Sequence, residues 1–149
     1  FNNLYPITKG DTIRLKDIDI QVLWPMKRQT EEGCIPPYDG NINNDSLVLC
    51  FNYLNHKFLL MGDIESEIEY VLVRNAILQD EYDVLKGGHH CSKTSNSETF
   101  LNLISPAMAI CSLGQGNRFG HPSSETLKNF SKYGVQYLLT SREGNIQIK

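Results

Sequence analysis

The chain has 149 residues, 40% of them hydrophobic and 21% charged, which suits one domain with a buried core and excludes a low-complexity or disordered composition. The net charge of −3 and the sequence pI of about 5.8 exclude a basic nucleic-acid footprint spread over the whole surface, although a bound metal can supply local positive charge. No apolar run reaches the length of a membrane span, no signal or transit sequence is visible, and the chain opens on Phe1, as a fragment of something longer would.

Thr12–Leu15 and Ile18–Trp24 read as strands, the second with a period close to two and stopped by Pro25. Residues 27–45 read as a loop carrying Gly33, Pro36, Pro37 and Gly40 among Asn and Asp, long enough to be functional or disordered. Residues 46–54 and 57–61 read as a hairpin around Asn55-His56. The run Leu59, Leu60 and Met61 suits a strand buried on both faces. Residues 65–78 read as a helix with Ile68, Val71, Leu72 and Leu78 on one side. A short strand over 83–86 and a loop over 87–96 follow, then a helix capped by Ser97 and reaching Ile104. Residues 107–112 read as a strand and 113–122 as a glycine-punctuated loop. A helix runs from Ser123 or Ser124 to about Tyr133, with Gly134 as its C-cap. Residues 135–140 and 145–149 read as a closing hairpin around Glu143-Gly144. Hairpins followed by alternating strands and helices predict an α/β layered fold over residues 1–149, with a mixed sheet.

Four cysteines occur, at Cys34, Cys50, Cys91 and Cys111, with no C-x-x-C pair. The chain is neither short nor Cys-dense, so free thiols are expected, with Cys50 and Cys111 in strands and Cys34 in a loop.

Three polar clusters lie just past strand ends: Gly62-Asp63, Gly87-Gly88-His89-His90-Cys91-Ser92 and Gly120-His121-Pro122. Open α/β sheets bind ligands off the carboxyl ends of their strands, so these clusters can converge. Two readings compete for Asp63: a carboxylate serving a partner or metal, or the N-cap of the following helix. His89 and His90 point in different directions, so one can ligate a metal while the other orients it or donates a proton. Lys93, Thr94 and Ser95 are donors suited to phosphate oxygen, or an ordinary polar loop. His121 reads as a ligand or a surface residue ahead of a helix; Asn117 and Arg118 before it can reach a phosphate. His56 is given no function, and Trp24 and the tyrosines read as core rather than as a base-stacking platform.

Four blocks in order carry a resemblance: N-N-D-S-L-V-L (residues 43–49), L-L-M-G-D-I-E (59–65), V-L-K-G-G-H-H-C-S-K-T-S (84–95) and G-N-R-F-G-H-P (116–122). Together they resemble the C-terminal domain of ComEC-type DNA-uptake proteins, over nearly the whole chain. That domain belongs to the metallo-β-lactamase-fold hydrolases. The resemblance implies half of a four-layer αββα sandwich, with helices on one side of the sheet. It further implies a divalent metal, zinc or manganese, with Asp63 bridging two ions, His90 on the first and His121 on the second. His89 would stand beside them as a proton donor. It implies hydrolysis of a phosphodiester, with DNA as substrate and Lys93, Thr94, Asn117 and Arg118 on the phosphates. The implied parent is a bacterial integral membrane protein.

Two departures qualify this. The family's H-H-G-S block has glycine where this chain has Cys91, either an inert small residue or a thiol that alters metal preference. The family's first motif, H-x-H-x-D-H, is absent. About half of the ligands are therefore missing, and metal binding by this chain is expected to be incomplete. Half a sandwich would leave an apolar sheet face open, so self-association is expected, and inactivity in isolation. Two other readings remain: a hydrolase of another ester, such as a phosphocholine ester or a lactone, and a non-catalytic nucleic-acid-binding or structural module.

Overall fold

In the computed structural model, residues 6–27, 40–78 and 81–148 are described. Cys34 and most of the long loop after β2 lie outside them. Seven strands form one mixed sheet in sequential order: β1 (Thr12–Leu15), β2 (Ile18–Trp24), β3 (Val48–Tyr53), β4 (His56–Leu60), β5 (Val84–Lys86), β6 (Met108–Cys111) and β7 (Gln136–Leu139). β1 to β4 pair antiparallel; β4 to β7 pair parallel. The three parallel steps are bridged by α1 (Ser66–Arg74), α2 (Glu98–Ile104) and α3 (Ser124–Lys132). Parallel connections are right-handed, and each step here moves the same way across the sheet, so all three helices fall on one face. The α/β fold expected from the alternation is what the chain adopts.

Alternation along the strands sorts the side chains. Val48, Cys50, Leu59, Leu85, Ala109 and Cys111 pack with Ile68, Leu72, Phe100, Leu101, Ile104 and Phe130 in one contiguous core. The opposite face carries the cross-strand pairs Leu49–Leu60, Phe51–Phe58 and Ile110–Leu138. These six side chains are only half-buried. Leu60 is thus not covered on both sides as its apolar run suggested. The Phe51 and Phe58 rings stack at 4.8 Å.

The expected closing hairpin does not form. After β7 the chain turns into a single-turn helix, α4 (Thr140–Glu143), and residues 145–148 pair with no strand. The reason is local: the Thr140 hydroxyl bonds the backbone of Leu113 and of Cys111, which folds the chain inward at the end of β7. Nor does Ser97 cap α2 with its side chain. The buried Glu69 carboxylate of α1 instead holds the chain just ahead of α2, accepting from the amides of Asn96 (2.5 Å) and Ser97 (2.9 Å). Ser123 does cap α3, accepting from the Thr126 amide at 3.1 Å.

The expectation of free thiols is corrected for two cysteines. Cys91 and Cys111 form a buried disulfide, their Cα atoms 5.6 Å apart. They lie 20 residues apart in sequence, but the loop after β5 passes over the end of β6, where the chain brings them together. Cys50 is free and buried in the core.

Candidate active site

The parallel strands β4 to β7 end on one edge of the sheet, and the three polar clusters gather there. Gly62, with φ +56°, turns the chain out of β4; a Cβ there would sit 2.6 Å from the Ser46 side chain and 2.9 Å from the Leu47 carbonyl oxygen, so no larger residue fits. Asp63 follows. The helix cap is Glu65, not Asp63, and Asp63 is left facing the histidines. Its Oδ1 lies 3.6 Å from His90 Nε2 and 4.0 Å from Lys86 Nζ.

His89, His90 and Cys91 are three successive left-handed residues, with φ of 45°, 54° and 62°. Such a run costs roughly 1–2 kcal/mol per residue, so other contacts must hold it. The His89 amide donates to the Gly62 carbonyl (3.1 Å), the Asn96 side chain pairs with both the N–H and the C=O of Gly88, and the disulfide ties Cys91 to β6. Gly87 leaves room for that sulfur, since a Cβ there would lie 2.5 Å from Cys91 Sγ.

Each imidazole is oriented. His90 Nδ1 bonds the Ser112 carbonyl at 2.6 Å; a carbonyl only accepts, so Nδ1 carries a proton, and Nε2 is the nitrogen on the side of Asp63. His89 Nδ1 lies 3.1 Å from Glu65 Oε1, and that carboxylate is also held by Asn41 (3.0 Å) and Asn43 (3.4 Å). The His121 backbone is braced by Asn117, whose amide donates to the His121 carbonyl at 2.7 Å and whose oxygen accepts from the His121 N–H at 3.1 Å. The ring of His121 lies 5.6 Å from that of His89 and 6.5 Å from that of His90. Desolvation lowers the His121 pKa, helped by the neighbouring His89 and His90, and Asp63 works against the shift. This favours the neutral imidazole.

The structure therefore brings together Asp63, His89, His90 and His121. Lys93 projects into solvent, and Thr94 bonds Ser92 and receives the Ser66 amide on its carbonyl. Arg118 is exposed beside Phe119. Trp24 is core, its indole N–H donating to the Asn44 carbonyl at 2.7 Å. Two participants were not singled out in the sequence. Glu65 orients His89, and Lys86 ties the ends of β4 and β5 by donating to the carbonyls of Gly62 (2.9 Å) and Gly87 (3.4 Å). Burial pushes the Lys86 pKa down, against the pull of Asp63. Both sit inside the motif blocks, but their partners lie 24 residues away along the chain.

Asp63 and His90 present a carboxylate and an imidazole, donor types that divalent ions accept. Two ligands about 2.1 Å from a tetrahedral ion stand roughly 3.4 Å apart, close to the Asp63–His90 separation. The set is nevertheless partial: among the described residues, no three His, Cys, Asp or Glu side chains are grouped closely enough to hold a metal. Among those residues, too, no helix is long and apolar enough to cross a membrane.

No family model matches the chain. It is 34% identical over 143 residues, 96% of its length, to ComE operon protein 3 of Bacillus subtilis. It is 30% identical over 130 residues, 87% of its length, to competence protein ComA of Neisseria gonorrhoeae. It is 31% identical over 106 residues, 71% of its length, to recombination protein 2 of Haemophilus influenzae. The matches cover 17%, 18% and 13% of those proteins, so the chain spans less than a fifth of each. With relatives this similar over most of its length, and with its polar motifs assembled on one sheet edge, the chain belongs to the ComEC-related family of competence proteins.

Proposed function

We propose that this chain carries part of the active site of a metal-dependent phosphodiesterase that acts on DNA during its uptake. The observation that supports this best is the placement of His90 Nε2 against Asp63 Oδ1, with the rings of His89 and His121 beside them at the carboxyl edge of the sheet. The names of two relatives point to competence. Asp63, His90 and His121 are the residues that would hold the divalent ion, zinc or manganese. When bound, the ion would activate water and stabilise charge on the phosphate. Glu65 orients His89 through its Nδ1, and His89, its ring beside that of His121, would serve a leaving oxygen as the proton donor. Asn117 fixes the His121 loop, and the exposed Lys93 and Arg118, with Thr94, contact the phosphate backbone. Further ligands would come from outside the described residues or from water, as expected of half of a metallo-β-lactamase-type sandwich. The half-buried apolar sheet face is where the other half would pack, and in its absence a second copy of the chain.

The test is metal content of the purified, untagged chain after buffer exchange, beside Asp63→Ala, together with DNA hydrolysis by the longer protein that contains it. Asp63→Ala should remove bound metal, and Asp63→Ala and His121→Ala should each reduce turnover at least a hundredfold, the scale of losing a metal ligand or its support. Full turnover in both variants refutes the reading. For the isolated chain, a binding role without turnover is the second reading, favoured by the partial ligand set. Salt-dependent DNA binding that persists with a chelator present identifies it.

A further inference from the structure

Beside the histidines lies a cavity of about 370 Å³, lined by His90, Ser112, Leu113, Asn117, Phe119 and Thr140 among others. That volume falls within the range of roughly 300–1,000 Å³ typical of small-molecule sites. Phe119 lines it and is 73% exposed, so one face of its ring is open to solvent. The ring does not stand alone. Its plane is within 16° of that of His121, at a centroid distance of 6.0 Å, and the plane of His121 is within 22° of that of His90. The three rings make a row of nearly parallel planes leading outward from Asp63. The Arg118 guanidinium lies 6.0 Å from the Phe119 centroid.

Two of the polar side chains lining the cavity, Asn117 and Thr140, are already engaged. The Asn117 amide is spent on the Gly114 carbonyl and on both backbone groups of His121, and the Thr140 hydroxyl on the backbone of Leu113. They are not free to read the edge of a base. Beside the histidines and Ser112, the cavity offers a flat aromatic face at Phe119 and an apolar wall from Leu113, with the Arg118 cation next to the ring. Single-stranded nucleic acid is held in this way: bases stack on aromatic rings without regard to sequence, and an arginine adds to the stack and meets the phosphate. A duplex, whose bases are already stacked, offers no free face.

We propose that this cavity is a base-stacking subsite for single-stranded DNA, with Phe119 as the platform and Arg118 as the phosphate contact, placing the strand next to His90 and His121. It rests on the reading of the neighbouring residues as a DNA-cleaving site, and names the form of DNA taken there. The subsite is tested without metal. Fluorescence anisotropy with a chelator present measures binding of oligothymidylate, and of an abasic strand of equal length and charge, to the wild-type chain, Phe119→Ala, Phe119→Trp and Asp63→Ala. The wild-type chain should bind the thymidylate strand about tenfold tighter than the abasic one. Phe119→Ala should abolish that preference with little change on the abasic strand. Phe119→Trp should restore it, and Asp63→Ala should leave it intact. Equal binding of both strands by the wild-type chain, an equal loss on both in Phe119→Ala, or no binding of either overturns the proposal. A change of oligomeric state in Phe119→Ala with base preference retained also overturns it, since the ring would then be covering another copy. A base preference that survives while Asp63→Ala leaves turnover of the longer protein untouched defeats the hydrolase reading and spares the subsite.

Discussion

At the scale of single residues, Glu69 shows how a charge earns its place inside a core. It is fully buried, yet its side chain is the acceptor for the amides of Asn96 and Ser97, the two residues that lead into α2. Burial pushes its pKa up, and the hydrogen bonds from Ser97 and Asn96 oppose that shift. The folded chain therefore keeps a proton on Glu69 to higher pH than the unfolded chain does. The stability linked to that proton is fully present below the ordinary carboxylate pKa and is lost as pH rises through the raised folded value. Glu69→Gln cannot titrate, and should lose about 2 kcal/mol or more at low pH because its amide cannot accept from both backbone groups as well. The deficit of the variant should shrink as pH rises through the window. Urea melts of both proteins from pH 4 to pH 8 measure this; a deficit independent of pH counts against a raised pKa. The helix carrying Glu69 was legible as an amphipathic pattern, but not the role of Glu69, because its partners come from a segment 27 and 28 residues further on.

At the scale of elements, the turn that carries the two histidines depends on its fastening. The ComEC resemblance places glycine where this chain has Cys91, and the φ of +62° at that position is the physical reason: glycine enters the left-handed region at no steric cost. Here a cysteine occupies it, and the bond to Cys111 helps hold the strained run. A cross-link closing a loop of this size contributes about 3 kcal/mol on the chain-entropy account. Cys91→Ser with Cys111→Ser should thus cost about 2–4 kcal/mol, while Cys91→Gly with Cys111→Ser should recover about 1 kcal/mol of it. Denaturant melts decide; equal stability of the two double variants would mean that the backbone at position 91 is not strained. Reading the cysteines as free followed from their spacing and number, which is sound for a disulfide framework but blind to a single bridge between neighbouring strand ends. Likewise, the sequence marked 145–149 as the second strand of a hairpin around Glu143-Gly144, whereas the Thr140 hydroxyl, tied to the end of β6, turns the chain away.

At the scale of the whole molecule, the sheet has two unlike faces. One is closed by α1, α2 and α3; the other carries Leu49, Phe51, Phe58, Leu60, Ile110 and Leu138, half-buried and without a covering element among the described residues. An apolar surface of this kind drives association. The isolated chain should therefore sediment as a dimer or larger species at micromolar concentration, and Phe51→Lys with Phe58→Glu should shift it toward monomer without unfolding it. A strictly monomeric wild-type profile by light scattering would mean that the face is tolerated in water.

The sequence by itself determined the order of strands and helices as far as β7, the family, and the edge at which the polar motifs would meet. The order and the edge rest on local periodicity, on glycine and proline punctuation, and on the rule that right-handed crossovers bring parallel strand ends to one side, and the family rests on the four motif blocks. Only the tertiary structure decided that Asp63 faces His90 rather than capping a helix, that Glu65 orients His89, that Cys91 joins Cys111, and that Phe119 stands exposed over a cavity. Each of these depends on strand register and on how loops from neighbouring strands cross, distances that are set between segments far apart in the chain and leave no periodic trace within any one of them.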